Sequence, residues 1–196
     1  FTERGLPGTL AIRNPQLDNW SVVSAVLVFG IQLFGISGTV LALSALLAVI
    51  VNFARVAGWY VQKIWYVPLL WVLYVGYGWI IFGFALTALS AYTMIQPSLS
   101  LHAFTLGGVG TLTLGMMARV ALGHTGRALR ASNAIAIAFM LINVAAFFRV
   151  VLPIAFPNWY QTLIYGSTLA WFAAFLLFIF VYGPILVSQR IDGQDV

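Results

Sequence analysis

Long apolar stretches alternate along the chain with short polar or turn-forming breaks, at a spacing that suits a bilayer. A hydrocarbon core about 30 Å thick is crossed by about 20 helical residues. Charges, prolines and glycine-rich turns cut the sequence into six pieces near that length. Asp18 and Arg55 enclose a charge-free run too long for one span. Gly35-Ile36-Ser37-Gly38 divides it and predicts spans over about 20–35 and 38–54. After Lys63 a third is predicted over about 65–94, and after the turn at Pro97 a fourth over about 101–122. A fifth over about 132–152 stops before Pro153 and Pro157, and a sixth covers about 160–187. The predicted fold is all-α: a single polytopic membrane helix bundle of about six transmembrane helices, with no soluble second domain.

Composition agrees with this pattern. Of 196 residues, 62% are hydrophobic and 7% are charged, against about a quarter charged in a soluble domain. That is too little polar surface to cover a water-soluble globule. An ordinary soluble fold, a nucleic-acid binder and a disordered chain are excluded. The net charge of +5 reads as loops facing anionic lipid head groups. With no cysteine, disulfides, thiolate metal sites and cysteine nucleophiles are excluded. The chain starts at Phe1 without a signal-peptide pattern, which reads as a start inside a longer product or a missing true start.

Alternating spans sort the basic residues. Arg4, Arg13, Arg55, Lys63, Arg119, Arg127, Arg130 and Arg190 fall on one side, and only Arg149 on the other. The positive-inside rule then predicts both termini and the Arg-rich loop in the cytoplasm. Trp59, Tyr60, Trp65 and Tyr66 flank the second loop as an interfacial aromatic belt would.

The four carboxylates, Glu3, Asp18, Asp192 and Asp195, are placed outside the spans. This argues against a cation-coupled transporter, which usually needs an intramembrane acid, and against paired-carboxylate catalysis. Two histidines remain, at the ends of the fourth helix. With Ser98 or Ser100 as N-cap, His102 falls in the first turn, where the helix dipole disfavours imidazolium. It reads as a metal ligand or as an interfacial histidine bonded to backbone. His124 lies in Gly123-His124-Thr125-Gly126-Arg127. The glycines allow a tight turn with exposed amides, and Arg119, Arg127 and Arg130 are nearby. The loop suits a carboxylate or phosphate, or simply lipid head groups. Twenty-two residues of helix separate the histidines by about 33 Å, so they cannot share one ion.

Ala103, Gly107, Thr111 and Gly115 form a small-residue stripe, widened by Gly108 and Gly110, that admits a neighbouring helix or a flat cofactor. Met116 and Met117 read as core packing more readily than as haem or copper contacts. Arg149 is the one charge expected within a span. Its cost there makes it a functional candidate, either pairing with a haem propionate or snorkelling to the surface. Asn52, Tyr74, Tyr77 and Asn143 suit interhelical hydrogen bonds.

The run Leu101-His102-Ala103-Phe104-Thr105-Leu106-Gly107-Gly108-Val109-Gly110 is long and specific. With Met117-Ala118-Arg119-Val120-Ala121-Leu122-Gly123-His124-Thr125-Gly126-Arg127, it closely resembles the NnrS family. Phe1-Thr2-Glu3-Arg4-Gly5 and Pro68-Leu69-Leu70-Trp71, with Gly76-Tyr77 following, are similar as well. The resemblance implies a bacterial inner-membrane protein containing haem, of the b type, and copper, tied to denitrification and nitric oxide tolerance. It implies about twelve spans, of which these six form the second half. The N-terminal half or a second chain would then supply further ligands. His102 and His124 match the family's histidines, and Arg119 and Arg127 its arginines. The resemblance also implies a histidine shortly before the Gly-Tyr pair of the third helix, where this chain has Tyr74.

The expected function is therefore a haem-dependent membrane protein of the nitric oxide response. His102 and His124 are its candidate metal ligands, and Arg119, Arg127 and Arg149 its candidate cofactor contacts. Homo-oligomers are compatible with this. The alternatives are a transporter or channel for a small neutral or anionic solute, and a structural subunit of a larger complex.

Overall fold

The computed structural model of the protein describes Leu6 and residues 14–191. Arg4, Arg13 and the carboxylates Glu3, Asp192 and Asp195 lie outside the described residues, as does the resemblance at Phe1 to Gly5. Six helices cross the described chain and no strand is present among these residues. They are α1 (Pro15–Leu33), α2 (Thr39–Trp59), α3 (Pro68–Ser90), α4 (Pro97–His124), α5 (Asn133–Ala155) and α6 (Tyr160–Leu186). Short 3₁₀ turns, Gln62–Tyr66 and Pro157–Trp159, lead into α3 and α6. The fold is an all-α bundle.

Five helices, α2 to α6, are long and apolar enough to cross a membrane. In α1 the opening residues Pro15, Gln16, Asp18 and Asn19 dilute the apolar run. This helix starts five residues before the predicted 20, because Asn14 caps it. The Asn14 side chain accepts from the amides of Gln16 (3.0 Å) and Leu17 (3.4 Å), and Pro15 brings a preset φ to the first helical position. Asp18 is consequently inside a helix and not ahead of one. At the other end, Gly35 (φ 69°) takes the left-handed conformation while the amide of Ile36 returns to the carbonyl of Ile31 (3.1 Å). The Gly35 to Gly38 break thus separates α1 from α2 as the sequence indicates.

α3 is the shared wall of two cores. On one side Val28, Leu41, Ala45, Ala48, Phe84 and Ala88 join α1, α2 and α3. On the other, Val72 of α3 packs with Leu114 and Ala118 of α4, Phe139 and Ile142 of α5, and Ala174 and Phe178 of α6. Many large apolar residues face outward, among them Val26, Ile50, Leu169 and Phe180. Such a surface is stable against lipid and not against water.

The small-residue stripe of α4 is filled by α3. Ala103 and Thr111 are fully buried, and Gly107 and Gly115 are buried beside them. A Cβ on Gly107 would lie 2.6 Å from the Trp79 side chain, and one on Gly115 would lie 2.7 Å from Val72. The stripe is a helix-packing seam, and α3 leaves no slot there for a flat cofactor. Two helices are locally widened: α4 over Ala103–Gly110 and α5 over Phe147–Val151 run as π-helix. Such segments are frequent at functional sites.

Candidate functional site

Helix α4 starts earlier than Ser98 or Ser100 would allow. Gln96 is its N-cap and Pro97 its first residue, because the fixed φ of proline suits that position. His102 therefore sits in the second turn and not the first. One turn back, the Ser98 carbonyl faces Nδ1 of His102 at 2.6 Å. A carbonyl only accepts, so Nδ1 carries the proton. On the other side of the ring, Nη2 of Arg149 lies 3.0 Å from Nε2. A guanidinium only donates, so Nε2 presents its lone pair. The network thus fixes one neutral tautomer of His102.

Arg149 belongs to the π segment of α5, and His102 immediately precedes that of α4. Both are half-buried. Nη1 of Arg149 also donates to the Tyr160 hydroxyl of α6 (3.4 Å), and its guanidinium carbon stands 5.7 Å from the Tyr160 ring centre. Three helices meet at this group. Fully buried Leu86, Ala103 and Val150 form a core cluster beside it. Arg149 neither lies free at the surface nor waits unengaged for a propionate. It is tied to the histidine.

A cleft of about 710 Å³ opens next to this group. Tyr160 lines it, together with Pro97, Leu99 and Pro153. Thr93 lines it too, at φ 58°. For a β-branched residue that left-handed conformation is strained.

The other end of α4 holds His124, Arg119 and Arg127, far from His102. His124 is exposed. Arg119 is buried and donates to the Leu69 carbonyl of α3 (3.2 Å). The loop does not offer its amides to an anion. Gly126 (φ 69°) turns the chain so that the amide of Arg127 returns to the Leu122 carbonyl (2.9 Å), and the amide of Gly126 bonds to Gly123 (3.3 Å). Closing the helix consumes both donors. The Arg127 side chain reaches Ser188 past the end of α6 (3.0 Å), and its buried Nη1 has no partner. Met116 is partly buried and Met117 is 37% exposed.

Sequence reasoning missed one network. Arg55 of α2 bonds to Asp18 of α1 (2.7 Å) and to the Tyr77 hydroxyl of α3 (3.0 Å). Tyr77 in turn donates to Asn52 (2.5 Å), and the Trp59 ring lies 4.4 Å beneath the guanidinium. The signal was available, since alternating spans put Asp18 and Arg55 on one side. Tyr74 belongs to this end of α3, where its hydroxyl donates to the Trp59 carbonyl. Asn143 accepts from the indole of Trp79 (2.8 Å), joining α5 to α3.

The NnrS family model matches residues 1–190. The chain belongs to the NnrS family. As such it is a membrane protein of the nitric oxide response. No curated protein and no solved structure matches it. In this NnrS-family chain, His102 and Arg149 are brought together, whereas His124, Arg119 and Arg127 sit at the opposite end of the bundle. Among the described residues, no three His, Cys, Asp or Glu side chains converge as a metal-binding group.

Proposed function

We propose that the chain binds haem b through His102 and acts through it in the nitric oxide response. The carrying observation is the fixed ring of His102. A metal-ligating histidine generally donates its other ring N–H to a backbone carbonyl or carboxylate. Nδ1–H on the Ser98 carbonyl leaves Nε2 as the ligating atom. Arg149 covers that atom at 3.0 Å, so it would have to yield Nε2 to a haem held by His102, and its positive charge would suit a propionate. Bound haem would supply an iron centre able to bind nitric oxide. The chain's own residues orient the His102 imidazole and hold a positive charge beside it.

Copper fits less well. His102 and His124 are at opposite ends of α4 and cannot share an ion, so a copper centre would take further ligands from another segment or a second chain. The basic residues favour an orientation with the Arg55, Arg119 and Arg127 end in the cytoplasm and His102 toward the outer face of the bacterial inner membrane.

Optical spectra of the purified protein from haem-replete cells test this reading. A Soret band that moves on adding nitric oxide is expected, and His102→Ala should remove or shift it. A colourless preparation, or an identical spectrum in His102→Ala, refutes it.

A further inference from the structure

Arg149 is a half-buried cation in an apolar bundle, and each of its polar partners is neutral. These are the Tyr160 hydroxyl at 3.4 Å and the Nε2 of His102 at 3.0 Å. Asp18, the one carboxylate among the described residues, is bound to Arg55 of α2, whose other partners are Tyr77 in the N-terminal half of α3 and Trp59 at the end of α2. A cation partly withdrawn from water, with no counter-ion beside it among the described residues, carries a cost. A guanidinium has five N–H donors, and these two bonds use two of them. Tyr160 accepts from Arg149, so its own hydroxyl proton remains to be donated. The same tyrosine lines the 710 Å³ cleft, whose rim includes the strained Thr93. Unused donors and a cation with neutral partners therefore stand beside a cleft that reaches them through Tyr160.

We propose that this cleft leads to a binding site for a carboxylate or small oxyanion, held by the remaining N–H groups of Arg149 and the hydroxyl of Tyr160. The planar fork of arginine matches two oxygens of such a ligand at once. His102 keeps the fork oriented from the other side. The anion comes either from solution or from the propionate of a bound haem. The proposed site shares the His102–Arg149 pair with the haem reading but does not rest on it.

Formate is the probe. Protein produced with and without haem supply is placed in nanodiscs of zwitterionic lipid and titrated at constant ionic strength. Tyrosine ultraviolet difference absorbance and thermal stabilisation are followed. Saturable binding to the haem-free protein is expected. Arg149→Gln should weaken it at least about tenfold, the scale of one lost charge-assisted bond. Arg149→Lys, which keeps the charge without the fork, and Tyr160→Phe should fall between. Arg130→Gln, at an exposed position on the other face, should bind as the wild type does. A response in haem-free but not haem-loaded protein assigns the site to a propionate, and a response in both assigns it to a solution anion. No saturable response in haem-free wild type, or an equal response in Arg149→Gln with unchanged helicity, overturns the proposal. A missing Soret band would refute the haem reading and leave this test intact.

Discussion

Replacing Gly107 by alanine probes the α3–α4 seam at its tightest point. The new Cβ would stand 2.6 Å from Cγ and Cδ2 of Trp79 and 2.9 Å from its Cβ. Cβ is fixed by the backbone, and Cγ and Cδ2 can move away only if the whole indole rotates. The indole is also held at its far end, by the 2.8 Å bond from Nε1 to Asn143 and an edge contact with Phe82. Overpacking of this kind costs about 1–3 kcal/mol. If the ring moves to relieve it, a bond worth roughly 0.6–1 kcal/mol is lost as well. The better helix propensity of alanine returns about 1 kcal/mol at most. A net loss of roughly 0.6–3 kcal/mol follows when the ring moves, raising the unfolding constant about 3- to 150-fold. Gly123→Ala is the control, since nothing lies within 4 Å of its would-be Cβ. It should be neutral or stabilising by up to about 1 kcal/mol. Tryptophan fluorescence during denaturant unfolding in mixed micelles measures both. If Gly107→Ala unfolds at the wild-type midpoint, or the two variants shift together, the seam is not packed as described.

Other outcomes follow from the polar contacts. Ser167→Ala removes the 2.8 Å bond from α6 to the Ala145 carbonyl of α5 and should destabilise by about 0.6 kcal/mol in the same assay. Asp18→Asn should cost about 1 kcal/mol or less, since Tyr77 and Trp59 still hold Arg55. Arg55→Ala, which strips the partner from all three, should cost about 2 kcal/mol or more, and an equal effect of the two would contradict the network. Diethyl pyrocarbonate acylates free imidazole nitrogen. Peptide mass mapping should find exposed His124 modified before His102. Arg149→Gln should speed His102 modification roughly tenfold, the factor set by one released hydrogen bond, and unchanged rates would mean that Nε2 is not covered.

The helices were legible because a bilayer-spanning segment announces itself by length and apolarity alone. Boundaries shifted where local capping decided them: Asn14 and Pro15 drew α1 forward, and Gln96 and Pro97 did the same for α4. The contact between His102 and Arg149 was not legible. It spans 47 residues and depends on how α4 and α5 are rotated, which two π segments alter. Each residue was nonetheless conspicuous, His102 as one of two histidines and Arg149 as the one charge the sequence places within a span. The spacing of four from Ser98 to His102 was readable as a single helical turn. The Gly123 to Arg127 loop misled because exposed amides were expected where helix closure takes them.

The π segments give the pair a reserve of register. Each residue of α-helix turns the chain by about 100°, and a π segment takes up about one residue more than the α winding it replaces. Deleting one residue within Ala103–Gly110, such as Val109, would therefore let α4 relax to regular winding with the segments on either side close to their present phase. His102 would still face Arg149. A second deletion in the same segment would find no slack, and everything before it would rotate by about 100° and shift about 1.5 Å along the axis. His102 would then face away from Arg149 although neither had been touched.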